Sequence, residues 1–112
     1  MKLTVTKAIL GFDSEPLTRD EKKLQADGST KVEAGPLLLR HVLVTALNAP
    51  GPRYQEETVE EKFRRGFLAI EIHVKDEVEL TAEDVAMMKK LVALGWAPVI
   101  VYRANQILEQ RD

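Results

Sequence analysis

The segment GPLLLRHVLVTALNAPGP, residues 35–52, constrains the fold of this chain more than any other. Gly35 suits a helix N-cap, and Pro36 suits the first helical position, where an N–H would go unbonded anyway. Asn48, Pro50, Gly51 and Pro52 supply the stop. Between these signals only Arg40, His41, Thr45 and Asn48 are polar, and they form a narrow stripe at helical spacing. A helix that is apolar around the rest of its circumference must be covered on most sides. In a chain of 112 residues, 45% of them hydrophobic, there is room for a single core. The helix expected over 36–48 is therefore its centre, and residues 1–112 read as one domain.

The flanking segments supply the cover. Residues 2–12 alternate imperfectly, with Leu3, Val5 and Ile9 on one parity and Lys2, Thr4 and Thr6 on the other, which predicts an edge strand. Lys7 interrupts its apolar parity, Gly11 ends it, and DSEP at 13–16 is turn chemistry. Residues 19–35 are polar. Asp27-Gly28 is a type I′ hairpin signal, but pairing across it sets Leu24 opposite Lys31 and Lys23 opposite Val32, which buries little. A mobile loop and a weak solvent-facing hairpin both fit this stretch.

Residues 56–74 predict an amphipathic helix whose core stripe is Val59, Phe63, Phe67, Ile70 and Val74, at steps of three or four. Glu60 with Arg64 and Glu61 with Arg65 give acid-before-base pairs four apart on its exposed face. Leu68, Ile70, Ile72 and Val74 also alternate as a strand would, but the continuing stripe favours the helix. Residues 76–80 read as a turn and a very short strand, with Val78 and Leu80 on one side.

The chain then writes two helices in succession. Thr81 is an N-cap, and Thr81-x-x-Asp84 is an acidic capping box with Glu83 and Asp84 in the first turn. Gly95 is the expected C′ stop of a helix over 82–94, and Pro98 opens a last helix over 98–110. A DNA reader would offer hydrogen bonds or positive charge from the first turn of the second helix. Here that turn is Val99, Ile100, Val101 and Tyr102, so a helical hairpin folded on itself is the better reading. These residues and Trp96 exceed what one helix face can bury, and Met87 beside Met88 adds a second adaptable apolar contact. The expected fold is thus α+β, an N-terminal strand or hairpin packed on about four helices. The expected protein interface is Trp96, Val99, Ile100, Tyr102 and Met87.

No reaction chemistry stands out. The chain has no cysteine, which removes thiolate catalysis and disulfides. His41 and His73 sit on different elements with no ligand partner at metal spacing. The carboxylates at 56–61 read as a solvated face, and those at 76–84 lack the alternation and central glycine of a calcium loop. There is no phosphate-binding glycine loop and no nucleophile with an evident base. No catalytic residue, metal or cofactor is therefore assigned. A formal net charge of -2 gives no general attraction to nucleic acid or to an anionic membrane. The amino-terminal apolar run is too short for a signal or a span, so a cytoplasmic location is expected.

KAILGFDSEPL, LLRHVLVTALNAP and DEVELTAEDVAMMKKLV together resemble small uncharacterised phage and prophage proteins. Those carry an N-terminal strand ending in an aspartate–x–x–proline–leucine turn, an apolar helix and an acidic cap on the helix that follows. The likeness leaves out residues 19–35, a longer insert than the family's turn. It implies a phage product in the host cytoplasm or the virion, acting by protein contact in assembly or host control. The leading reading is a non-enzymatic interaction module that self-associates or binds a protein. The alternative is a nucleic-acid-binding regulator using the 82–110 hairpin, with Arg103, Asn105 and Gln106 aided by Arg64 and Arg65.

Overall fold

The structure, a computed structural model, describes residues 1–49 and 57–110. The helix stops at Pro50, Gly51 and Pro52, and the expected helix start at 56, lie outside the described residues. In chain order the elements are β1 (Lys2–Thr4), β2 (Thr18–Leu24), β3 (Thr30–Pro36), α1 (Leu39–Leu47), α2 (Val59–Val74), β4 (Glu77–Glu79), α3 (Ala82–Gly95) and α4 (Pro98–Leu108). Four helices with two small antiparallel sheets, β1–β4 and β2–β3, make the α+β fold that the pattern predicts.

β1 is far shorter than the expected 2–12. Continuing the strand past Val5 would bring Lys7 to the same side as Val5 and Ile9. Instead the chain turns after Thr4, leaving Lys7 exposed and returning Ile9 to the core. Leu3 lies opposite Val78 of β4, and both are buried. Beyond the turn the chain is held by isolated bridges, Ala8 to Leu38 and Leu10 to Pro16.

Residues 19–35 form a hairpin, but not in the register of a two-residue turn. Gln25 N–H donates to the Ser29 carbonyl at 2.7 Å, and Gly28 N–H to the Gln25 carbonyl at 3.1 Å. Gly28 lies at φ +87°, in the left-handed region that closes a three-residue loop. The extra loop residue moves the pairing by one, so Lys23 faces Lys31 and Leu24 faces Thr30. A slip of one residue exchanges the two faces of a strand. Glu33 then reaches both lysines, Lys23 at 3.1 Å and Lys31 at 3.3 Å.

The central helix begins three residues later than Gly35–Pro36 suggests. Pro36 pairs with Thr18 at the end of β3, and Leu37 N–H donates to Leu17, so those residues complete the hairpin first. The helix is capped from within: Leu38 N–H donates to His41 Nδ1 at 3.0 Å. Leu39, Val42, Leu43, Ala46 and Leu47 are buried, which makes α1 the centre of the core as expected.

α2 overturns the expected core stripe. The face turned inward is Arg65, Leu68, Ala69 and Ile72, while Val59, Phe63, Phe67, Ile70 and Val74 are exposed. Two physical causes combine. Ala69 is small, so the inward face suits close packing on α1. Arg65 also answers α1's unsatisfied C-terminal carbonyls, donating to Leu47 O at 2.7 Å and Ala49 O at 3.3 Å. Arg65 is only 8% exposed, and its guanidinium pairs two-pronged with Glu57, at 2.6 and 2.7 Å. Arg65 is thus not partnered with Glu61 on a surface. Arg40 of α1 returns the service at α2's C-terminus, donating to Ile72 O at 2.9 Å and Lys75 O at 2.7 Å. The residues 68–74 are helical, as the stripe argument expects.

The capping box at α3 forms as read: Asp84 N–H donates to Thr81 Oγ1 at 3.1 Å, and Thr81 N–H to Asp84 Oδ2 at 3.0 Å. Arg64 closes a fork on the same carboxylate, with Nε to Oδ1 at 2.9 Å, so its partner is Asp84 rather than Glu60. Gly95 is the last helical residue and does not take the left-handed C′ geometry. The helix ends where Trp96 turns extended, at φ −118° and ψ 157°, and Pro98 keeps Ala97 extended after it, at φ −64° and ψ 152°. α4 folds back on α3, and Lys89 meets Glu109 at 2.7 Å.

Candidate functional site

Packing takes up most of the apolar surplus expected at residues 96–102. Trp96, Ile100, Val101 and Met87 are half-buried against the core, and Val99 is half-buried as well. Met88 is fully buried. Tyr102 alone of that group points outward, at 62% exposure. The base of the hairpin and α1 reach this end of the molecule through Leu17 and Val44, which also pack on the core. The helical pattern of residues 96–102 carried no trace of that long-range cover.

The large exposed apolar surface lies on α2. Successive residues turn by about 100° in a helix. Val59, Phe63, Phe67, Ile70 and Val74 therefore fall within about 80° of one another, on the side opposite Leu68 and Ile72. Phe63 is 73% exposed and Ile70 66%. The Arg64 guanidinium, fixed by Asp84, lies 5.4 Å from the centre of the Phe67 ring and holds that ring in place. From Phe63 to Val74 the steps are four, three and four, the spacing of a coiled-coil seam. The stripe was legible in the sequence, but its direction was not.

The cationic and amide residues of a nucleic-acid reader are otherwise engaged. Arg64 binds Asp84, Arg65 binds Glu57 and two carbonyls, and Arg103 donates to Gly11 O at 3.0 Å and contacts Gln106 and Ser14. Asn105 and Gln106 are half-buried, with Asn105 Oδ1 enclosed and without a hydrogen-bond donor.

A second feature was not anticipated: His41 and His73 line one cleft of about 690 Å³ between the hairpin base, α1, the end of α2 and Trp96. Leu17, Leu37, Val44, Trp96 and Ile100 form its apolar walls, and Arg19 and Arg40 are on its rim. Burial, reinforced by Arg19, Arg40 and His73 and opposed by Glu21, holds the His41 imidazole below its ordinary range. Only antiparallel packing of α1 on α2 brings position 41 near position 73. Sequence spacing carries no signal for it.

Among the described residues no cluster of three histidines and carboxylates could hold a metal, and no helix is long and apolar enough to cross a membrane. No family model matches the chain, and comparison with curated proteins and with solved structures finds no significant match.

Proposed function

We propose that the chain is a non-enzymatic interaction module that docks through the outer face of α2, and that the occupant is a second copy of itself. The observation that carries this is the exposed Phe63–Phe67–Ile70–Val74 seam. An apolar stripe of this size, rimmed by charge, marks an interaction surface. Its four-three-four spacing is what an identical helix would match layer by layer.

The flanks favour a parallel pair. Lys62 and His73 lie to one side of the seam, with Glu60 and Glu71 to the other. Two parallel copies set the basic flank of one beside the acidic flank of its partner, whereas an antiparallel pair sets like beside like. Gly66 beside the seam leaves open space, so backbones can approach closely. A seam on one 16-residue helix is short, so association depends on concentration. Within the same proposal, the resemblance to small phage and prophage proteins implies a role for this contact in virion assembly or host control.

Sedimentation velocity across a concentration series tests the reading. The wild-type chain is expected to dimerise, Phe63→Asp with Ile70→Asp to remain monomeric, and Trp96→Ala with Val99→Asp to dimerise normally. The chain has no cysteine, so single-cysteine variants report orientation cleanly. Phe67→Cys and Ile70→Cys, mixed and oxidised, give 67–67 and 70–70 disulfides in a parallel pair and only 67–70 in an antiparallel one. A wild-type chain that stays monomeric at every concentration overturns the second-copy occupant. If nothing in the cells that encode it is then retained by the wild type and lost by the double aspartate variant, the interface itself falls.

A further inference from the structure

The cleft that joins His41 to His73 shares only His73 with the flank of the α2 seam, and it has the composition of a ligand site. Its volume of about 690 Å³ suits a small molecule. Five apolar side chains line it, the chain's only tryptophan among them, and the polar groups on its wall are cationic or neutral, with no carboxylate.

The state of each cationic group points to what is missing. Arg40 is occupied by two carbonyls and by Asp76 at 2.8 Å, so it contributes charge more than hydrogen bonds. Its fellow arginines Arg64, Arg65 and Arg103 also have partners within the fold. Arg19 has none, and neither does His73, among the described residues. His41 uses Nδ1 to accept from Leu38 N–H, which leaves Nε2 for the cleft. An arginine fork offers its best geometry to a carboxylate or a phosphate. Here such a fork lines the same cleft as the indole and the two imidazoles.

We propose that this cleft binds a small anion with an aromatic or branched apolar body, a carboxylate or a phosphate monoester. Its charged head lies between Arg19, His73 and His41 Nε2, and its body lies against Trp96 and Ile100. Binding forms no covalent bond and needs no metal.

The single tryptophan makes the test direct. Trp96 emission and amide chemical shifts are followed while the protein is titrated with benzoate, phenyl phosphate, benzyl alcohol and benzylamine. The two anions are expected to saturate, with shifts clustered at Leu17–Arg19, His41 and Trp96, and the alcohol and amine to fail over the same range. The stronger of the two anions identifies carboxylate or phosphate as the natural head. Arg19→Ala and His73→Ala are each expected to weaken anion binding about tenfold, equal to about 1.4 kcal/mol. Arg19→Lys should recover part of that loss, which a merely structural role would not show. The Phe63→Asp, Ile70→Asp protein should bind as the wild type does, so failure of the dimer and failure of this site are distinguishable. No saturable shift with either anion, equal response to the amine, or full affinity in Arg19→Ala would each overturn the proposal.

Discussion

α1 and α2 lie against each other and treat their side chains in opposite ways. α1 turns Leu39, Val42, Leu43 and Leu47 inward and keeps Thr45 outside. α2 turns an arginine inward and keeps two phenylalanines outside. The difference teaches that an amphipathic pattern names a helix's two faces without saying which is the inner one. Where a neighbouring helix ends in unsatisfied carbonyls, the face able to donate to them wins. The larger apolar face is then left exposed.

The sharpest way to break this comparison is to remove what anchors each helix. Arg65→Ala leaves Glu57 buried without its cation and α1's last carbonyls without a donor, and should destabilise by about 3–5 kcal/mol in denaturant titration. Leu43→Ala, at the centre of α1, should lose about 2–5 kcal/mol by the same measurement. If Arg65→Ala proves as mild as a surface change, the inward orientation of α2 is wrong.

Next in size is the Arg64–Asp84–Thr81 cluster that fixes α2 to the start of α3. Asp84→Ala leaves Thr81 N–H and Arg64 unpartnered and should cost about 2–3 kcal/mol. Hydrogen bonding from Arg64, then from Thr81, holds the Asp84 carboxyl below its ordinary value in spite of burial. A folded pKa below the unfolded one stabilises the protein above the unfolded value, near about 3.9, and that contribution vanishes as pH falls through the lower folded value. Stability measured from pH 5 downward should therefore fall more steeply in the wild type than in Asp84→Ala.

A smaller effect belongs to His41. Its folded pKa is depressed, chiefly by burial, so protons bind the unfolded chain more readily. Stability should decline as pH falls below the unfolded value of about 6.5, and this slope should flatten in His41→Gln, which retains an acceptor for Leu38 N–H. Smallest of all is the outer face of α2. Phe63→Asp and Ile70→Asp should each change the stability of dilute, monomeric protein by less than about 0.5 kcal/mol while abolishing association. A large loss there would mean that the stripe belongs to the core after all.

Much of the fold was legible because its signals are local. Thr81 and Asp84 cap α3 through bonds three residues apart, Pro98 opens α4, and the apolar circumference of α1 required a central position. The hairpin is legible as turn chemistry but not in register, because Asp27-Gly28 suits loops of two or three residues and the left-handed Gly28 closes the longer one here. Of the candidate interface, the spacing of Phe63, Phe67, Ile70 and Val74 is readable in full, but by itself that pattern points to the core. The cover over Trp96 and its neighbours is not legible, because Leu17 and Val44 are distant in sequence.

By itself the sequence determined which segments are helical, that Thr81 caps α3 and Pro98 opens α4, that α1 is central and that one face of α2 is apolar. Only the tertiary structure decided which way that face points, which carbonyls Arg65 and Arg40 would serve, and that His41 and His73 share a cleft. The physical reason is one of range. Capping and periodicity are written within a few residues of one another. The orientation of a helix is set by groups far away along the chain, whose unmet hydrogen bonds and packing needs appear only when the elements come together.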